Sequence, residues 1–176
     1  MTEEIKKPIH SSFWANIFRS PTESDELIAS LKNIPLFKSL TKRDLSELLN
    51  LIHERTYVAG ENIFYQGDPG IGLYLIREGE VQVNRESDNG NKIQLAVFQK
   101  GDFFGELALI DNDKRSASAT AKTDTKLSVI FKPDLDEFIE KYPKKGIKIL
   151  QGIAEITALR LRTLNEDYFA LRTDKK

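Results

Sequence analysis

From about Glu54 to Ile130 the apolar residues of this chain recur with a period of two, in short runs broken by glycine-bearing turns. The runs are Ile63-Phe64-Tyr65, Leu73-Tyr74-Leu75-Ile76, Val81-Gln82-Val83, Ile93-Gln94-Leu95-Ala96-Val97-Phe98 and Leu127-Ser128-Val129-Ile130. The turns are Ala59-Gly60-Glu61-Asn62, Gly67-Asp68-Pro69-Gly70, Glu78-Gly79, Asp88-Asn89-Gly90-Asn91 and Lys100-Gly101-Asp102. Many short strands at regular spacing with such turns predict an antiparallel β-roll of jelly-roll type. The hairpin signal is sharpest at 88–91, where Asn89-Gly90 suits positive φ.

On both sides of the roll the period returns to that of a helix. Ser20-Pro21-Thr22-Glu23 reads as a helix start, with serine as cap, proline first and glutamate three residues after the cap. That helix should run to about Asn33, and Pro35 interrupts before a second start at Thr41, with Asp44 three residues on. Leu45, Leu48, Leu49 and Ile52 continue the stripe. After the roll, Pro133 opens a short helix over 134–141, Pro143 ends it, and a long helix follows over 144–171. The class is mainly β with flanking helices (α+β). Residues 1–12 read as a loose polar tail. Within 11–19, Phe13, Trp14, Ile17 and Phe18 share one helical face, which either folds back on the domain or docks on a partner or a membrane surface. The organisation expected is a tail with a short amphipathic helix (1–19), a domain of helices and β-roll (20–143) and a long terminal helix (144–176).

Several functional classes are excluded by residue type. The 176 residues contain no cysteine, which removes disulfides, thiolate zinc sites and thiol catalysis. A metal-dependent enzyme on a β-roll needs clustered histidines and carboxylates, and the only histidines are His10, in the tail, and His53, read as a helix-end residue. No enzyme and no metal are expected. The net charge of −1 implies no broad basic face for nucleic acid. No apolar run reaches the roughly 18–20 residues of a membrane span, and the first twelve residues lack a secretory apolar core. A cytoplasmic protein is expected.

The chemistry concentrates at 104–119, FGELALIDNDKRSASA. Gly105 lets backbone approach a ligand closely. The apolar segment 107–110 can form one helical turn, whose free N–H groups and partial positive charge suit a phosphate. Arg115, nine residues after Glu106, can return its guanidinium to that pocket and bind two phosphate oxygens at once. Glu106 is then free to accept from a sugar hydroxyl. Alternatively, Glu106 and Arg115 simply pair with each other and cap the turn.

The ordered set Gly67-Asp68-Pro69-Gly70, Leu73-Tyr74-Leu75-Ile76, Gly79-Glu80-Val81, Gly101 through Leu109 and Arg115-Ser116-Ala117-Ser118 resembles the cyclic nucleotide-binding domain family over 31–142. That family includes the regulatory subunits of cyclic AMP-dependent protein kinase and the bacterial catabolite activator protein. The resemblance implies cyclic AMP or cyclic GMP as ligand, with cyclic AMP favoured. It implies that Glu106 binds the ribose 2′-hydroxyl and Arg115 the cyclic phosphate. Backbone N–H groups of Leu107, Ala108 and Ala117 would surround the ligand beside Phe104 and Gly105, and Ser116 would add a hydroxyl. Val83 and Leu95 match base-pocket positions, and Ser118 stands where threonine often meets guanine. Gly67, Gly79 and Gly101 match the family's turn glycines. Two departures stand out: Lys114 replaces a frequent proline, and Ile71 a frequent acidic residue.

In the long helix, Ile147, Leu150, Ala154, Thr157, Leu161, Leu164, Tyr168 and Leu171 step alternately by three and four. This seam either belongs to a wide core-facing stripe or pairs two chains in parallel; the homodimer is the reading adopted. Ile149, Ile153 and Ile156 form a second face expected to pack on the β-roll. The resemblance further implies a lid drawn from 147–168. Because few residues follow the helix, no helix-turn-helix and no direct DNA binding are expected, and the output would pass to an effector protein. The competing reading is a degenerate roll used as a scaffold.

Overall fold

The computed structural model describes residues 21–110 and 113–173. The face formed by Phe13, Trp14, Ile17 and Phe18, the Ser20 cap and His10 lie outside the described residues.

The first helix, α1 (Pro21–Asn33), leads through a 3-10 turn, Pro35–Phe37, into α2 (Lys42–Leu48). Thr41 caps α2 as expected: its Oγ1 accepts from the Asp44 N–H at 3.2 Å, and Asp44 Oδ2 accepts from the Thr41 N–H at 3.0 Å. The strands are β1 (Ile52–Tyr57), β2 (Asn62–Phe64), β3 (Gly72–Glu78), β4 (Glu80–Glu86), β5 (Lys92–Gln99), β6 (Phe103–Phe104), β7 (Ser118–Ala121) and β8 (Thr125–Phe131). A 3-10 turn, Glu106–Leu109, lies between β6 and β7; α3 (Lys132–Lys141) and α4 (Pro143–Thr173) follow β8.

Two four-stranded sheets, ordered β1-β8-β3-β6 and β2-β7-β4-β5, make the roll, and every pairing is antiparallel. Strands β3 and β8 are apolar along most of their length because each serves two cores. Tyr74, Ile76, Leu127 and Val129 point into the roll with Val81, Phe104 and Ala119. Leu73, Leu75 and Ile130, on the opposite face, join the core beneath the helices, with Leu27, Leu31, Leu36, Phe37, Leu135 and Ile149.

The structure corrects the sequence reading at four places. Strands β1, β6 and β7 were not among the expected runs, since β1 is polar at its centre, β6 has two residues and β7 reads Ser-Ala-Thr-Ala. His53 lies within β1, not at a helix end, and its Nε2 meets Asp134 Oδ2 of α3 at 2.7 Å. At the β4–β5 hairpin, Gly90 alone takes positive φ (76°); Ser87 and Asn91 close a wider loop through the Ser87 N–H. Finally, Ile149, Ile153 and Ile156 pack principally on the helical layer rather than on the roll. Gly152 shows why: α4 crosses the Pro35–Phe37 turn so closely that a Cβ there would lie 2.4 Å from the Leu36 carbonyl oxygen. Among the described residues, no helix is long and apolar enough to cross a membrane.

Candidate functional site

The site grows from the turn after β6. Gly105 takes φ 79° and starts the 3-10 turn Glu106–Leu109, the single helical turn expected there. No other residue fits: a Cβ on Gly105 would sit 2.8 Å from Arg115 Nη1 and 3.0 Å from the Gly72 carbonyl oxygen, in a backbone region that side chains rarely adopt. Gly67, Gly79 and Gly101 also turn with positive φ, at 89°, 87° and 92°.

The chain then returns beside the 67–70 turn. Pro69 and Lys114 form an isolated antiparallel bridge, the Arg115 N–H donates to the Asp68 carbonyl at 2.7 Å, and the Gly67 N–H to the Arg115 carbonyl at 2.9 Å. These bonds fix the Arg115 backbone and turn its side chain inward. Its Nη2 donates to the Gly72 carbonyl at 3.0 Å and its Nη1 to the Gly105 carbonyl at 3.3 Å. The guanidinium carbon lies 4.1 Å from the Phe64 ring centroid and 5.4 Å from that of Tyr74. Carbonyls and rings therefore hold this arginine, in a chain that has Ile71 where an acidic residue is frequent.

Arg115 is 8% exposed, and its Nε has no hydrogen-bond partner among the described residues. Burial pulls its guanidinium below the usual value, against which Tyr74 and then Glu106 act. Burial likewise raises the Tyr74 phenol. Glu106 does not pair with Arg115. Its buried carboxylate takes Arg160 Nη1, from α4, on Oε1. Arg115 is thus a nearly dry cation without an ion-pair partner among the described residues, a site that calls for an anion.

Both residues border one cavity of about 270 Å³. Of the positions expected to form the site, Val83, Phe104, Gly105, Glu106 and Leu107 line it, as do Ala108, Arg115, Ser116 and Ala117. Leu95 and Ser118 do not. The β4–β5 register passes from Val83 opposite Ala96 to Asn84 opposite Gln94, so Leu95 is the bulged residue, 55% exposed. Phe98, opposite Val81, takes the inward role instead. Ser118 Oγ accepts from the Gln66 N–H at 2.8 Å and is held at the end of β7. Sequence reasoning missed Phe64, Phe98, Lys114 and Arg160. Parity counted along the hairpin from Val81 would have found Phe98; nothing local in the sequence marks Arg160.

The cavity has an apolar wall of Phe64, Val83, Phe98 and Phe104, and a polar wall of Glu106, Arg115 and Ser116. Phe104 stacks on Tyr74 at 5.1 Å and on Phe98 at 5.8 Å, which makes the apolar wall rigid. One wall suits a flat ring system; the other suits an anion and a hydroxyl. Among the described residues, no group of three or more histidines and carboxylates could hold a metal.

Comparison with known proteins agrees with this geometry. A family model described as the cyclic nucleotide-binding domain matches residues 54–142. The chain is 37% identical over 132 residues to the cyclic AMP receptor protein of Thermus thermophilus, covering 75% of this chain and 59% of that one. It is 37% identical over 100 residues to the regulatory subunit of cAMP-dependent protein kinase from Aspergillus niger, covering 57% and 24%. In structure it is similar to the N-terminal domain of a transcriptional regulator from Streptomyces coelicolor, with TM-score 0.69 and 34% identity, covering 78% of this chain and 95% of that one. The chain thus spans less than two thirds of the length of either full-length relative. The matches indicate no catalytic family.

Proposed function

The chain belongs to the cyclic nucleotide-binding domain family, and from that premise we propose that it is a cytoplasmic receptor module, not an enzyme, that binds cyclic AMP in preference to cyclic GMP and signals through α4 to an effector protein. The observation that carries this reading is the pairing, in one cavity, of a buried Arg115 lacking an ion-pair partner among the described residues with a buried carboxylate, Glu106, opposite an aromatic wall. Arg115 would take the cyclic phosphate, with Ser116 Oγ and the N–H groups of Leu107, Ala108 and Ala117 around it. Glu106 would accept the ribose 2′-hydroxyl on an oxygen that Arg160 leaves free, since a carboxylate has about four lone-pair sites. The base would lie against Phe64, Val83, Phe98 and Phe104. Two features support adenine over guanine: the wall is apolar, and Ser118, whose hydroxyl accepts from the Gln66 N–H, is not among the residues lining the cavity.

Arg160 gives the lid a definite contact. It joins α4 to the sugar-binding carboxylate, so ligand that orders Glu106 also favours the docked helix. Beyond that contact, Leu161, Leu164 and Tyr168 are exposed, as are Ile147 and Leu150 earlier in the seam. These residues support pairing with a second copy over 147–171. Sedimentation velocity tests this part, and a purely monomeric species with and without ligand would remove it.

Titration calorimetry with cyclic AMP and cyclic GMP tests the main reading. A dissociation constant near 1 μM corresponds to about −8 kcal/mol, within reach of charge-assisted contacts of roughly 1.5–3 kcal/mol each after binding costs. Arg115→Ala should abolish that binding. No heat from either nucleotide up to about 100 μM would point to a scaffold instead.

A further inference from the structure

Three cations border the cavity, and their situations differ. Arg115 is buried and committed to two carbonyl oxygens and an aromatic face. Arg160 is paired with Glu106. Lys114 is exposed, lines the cavity, and has no carboxylate partner among the described residues. Its backbone is nonetheless fixed, by the bridge to Pro69 and by its N–H, which donates to Asp113 Oδ1 at 2.8 Å. The Lys114 ammonium is therefore a mobile charge on a stationary base, adjacent in sequence to the buried Arg115. An ammonium on a four-carbon stem is a strongly hydrated point charge, suited to brief capture; a guanidinium in a dry fork is suited to final seating.

We propose that Lys114 is the capture cation of this site: it meets the anionic phosphate at the mouth of the cavity and delivers it to Arg115, and so sets the association rate. The proposal rests on the nucleotide reading of the cavity. Arg115 has too little exposed surface to attract a ligand from solution. Asp113, which also lines the cavity, accepts from the Lys114 N–H and keeps its own negative charge. An exposed cation at the lip raises the local concentration of anions within a Debye length of about 8 Å, and this steering weakens with salt. It acts on arrival rather than on departure, because the seated phosphate is held by Arg115.

The test is stopped-flow binding of a fluorescent cyclic AMP derivative to the full chain, with displacement by unlabelled cyclic AMP, at ionic strengths from about 20 to 300 mM. Wild type is compared with Lys114→Gln and Lys114→Arg. Lys114→Gln should slow association about 3–10-fold at low salt and flatten its salt dependence, with dissociation changed less than about twofold. Lys114→Arg should restore both the rate and the salt slope. An association rate and salt slope in Lys114→Gln equal to wild type would overturn the proposal. So would an effect confined to dissociation, which would make Lys114 a seating contact. If the wild-type chain binds neither the probe nor, by calorimetry, either cyclic nucleotide, the nucleotide reading itself fails and the proposal with it.

Discussion

Arg115 is pre-positioned by main-chain atoms: the Gly72 and Gly105 carbonyls and the bridge to the 67–70 turn set its side chain before any anion arrives. Such preorganisation lowers the ordering cost of binding. A second residue-scale device lies far from the cavity, at Asp44. The Thr41 N–H holds the Asp44 carboxyl below the usual carboxylate range, and Lys145, 3.4 Å away on α4, adds to this. A carboxyl whose value is lowered by folding contributes stability above its unfolded value, near 3.9, and loses it as pH falls through the folded value. Asp44→Asn should therefore destabilise the protein by about 1 kcal/mol at neutral pH, the scale of a helix cap. The difference from wild type should shrink in urea denaturation as pH drops below about 4. Both devices were partly legible. The Thr41–Asp44 spacing and the Glu106…Arg115 cassette are local in sequence, and side-chain chemistry alone proposes their partners. Leu95 and Ser118 lie outside the cavity lining, one at a bulge and one bonded to a backbone N–H, and neither event is written in residue type.

At the scale of elements, α4 is the most constrained piece. Gly146 packs against Ile139 of α3, where a Cβ would meet Ile139 Cγ2 at 2.6 Å, and Gly152 packs against the Leu36 backbone. Glycine within a helix ordinarily costs about 1 kcal/mol relative to alanine, so alanine should help by propensity. At Gly152 the neighbour is main chain and cannot yield cheaply. Gly152→Ala should lower stability by a net 1–3 kcal/mol or so, read as a reduced denaturation midpoint with an unchanged slope. Helix α4 was legible from its period, but the surface that receives it was not. Apolar positions such as Ile149 and Ile153 announce burial without naming a partner, and the 3-10 turn that covers them is three residues long. Strand β7 was hidden for a related reason. Ala119 and Ala121 are fully buried, yet alanine carries little strand signal; its small size is what lets the two sheets approach.

At the scale of the molecule, the roll and the helical layer share strands β3 and β8, so a change at the cavity wall has a short path to the helices. Lys132 Nζ, at the start of α3, donates to the Leu109 carbonyl at the end of the cassette turn, at 3.1 Å, and Arg160 ties α4 to its beginning. Arg160→Ala should leave the fold intact. It should raise amide exchange over 157–173 and weaken cyclic AMP about 5–20-fold, within the usual range of coupling between sites. Exchange and affinity both equal to wild type would refute the lid contact. The overall architecture was the most legible level of all, because period and turn chemistry repeat over many residues. Contacts between distant segments, such as Glu106 with Arg160, depend on how those segments come together and leave no mark in either one.

Helix α4 has 31 residues and is about 46 Å long at a rise of about 1.5 Å per residue. It is gripped at Gly146 and Gly152, while residues 159–170 are all exposed. Mechanically it is a cantilever, held at its early turns and by Arg160 on Glu106, and free beyond. With roughly 20 Å from Arg160 to Thr173, a tilt of about 10° at Arg160 carries the far end some 3–4 Å. Under the function proposed above, a hydroxyl settling on Glu106 would be a sub-ångström event, and this geometry would multiply it into a displacement that another protein could register.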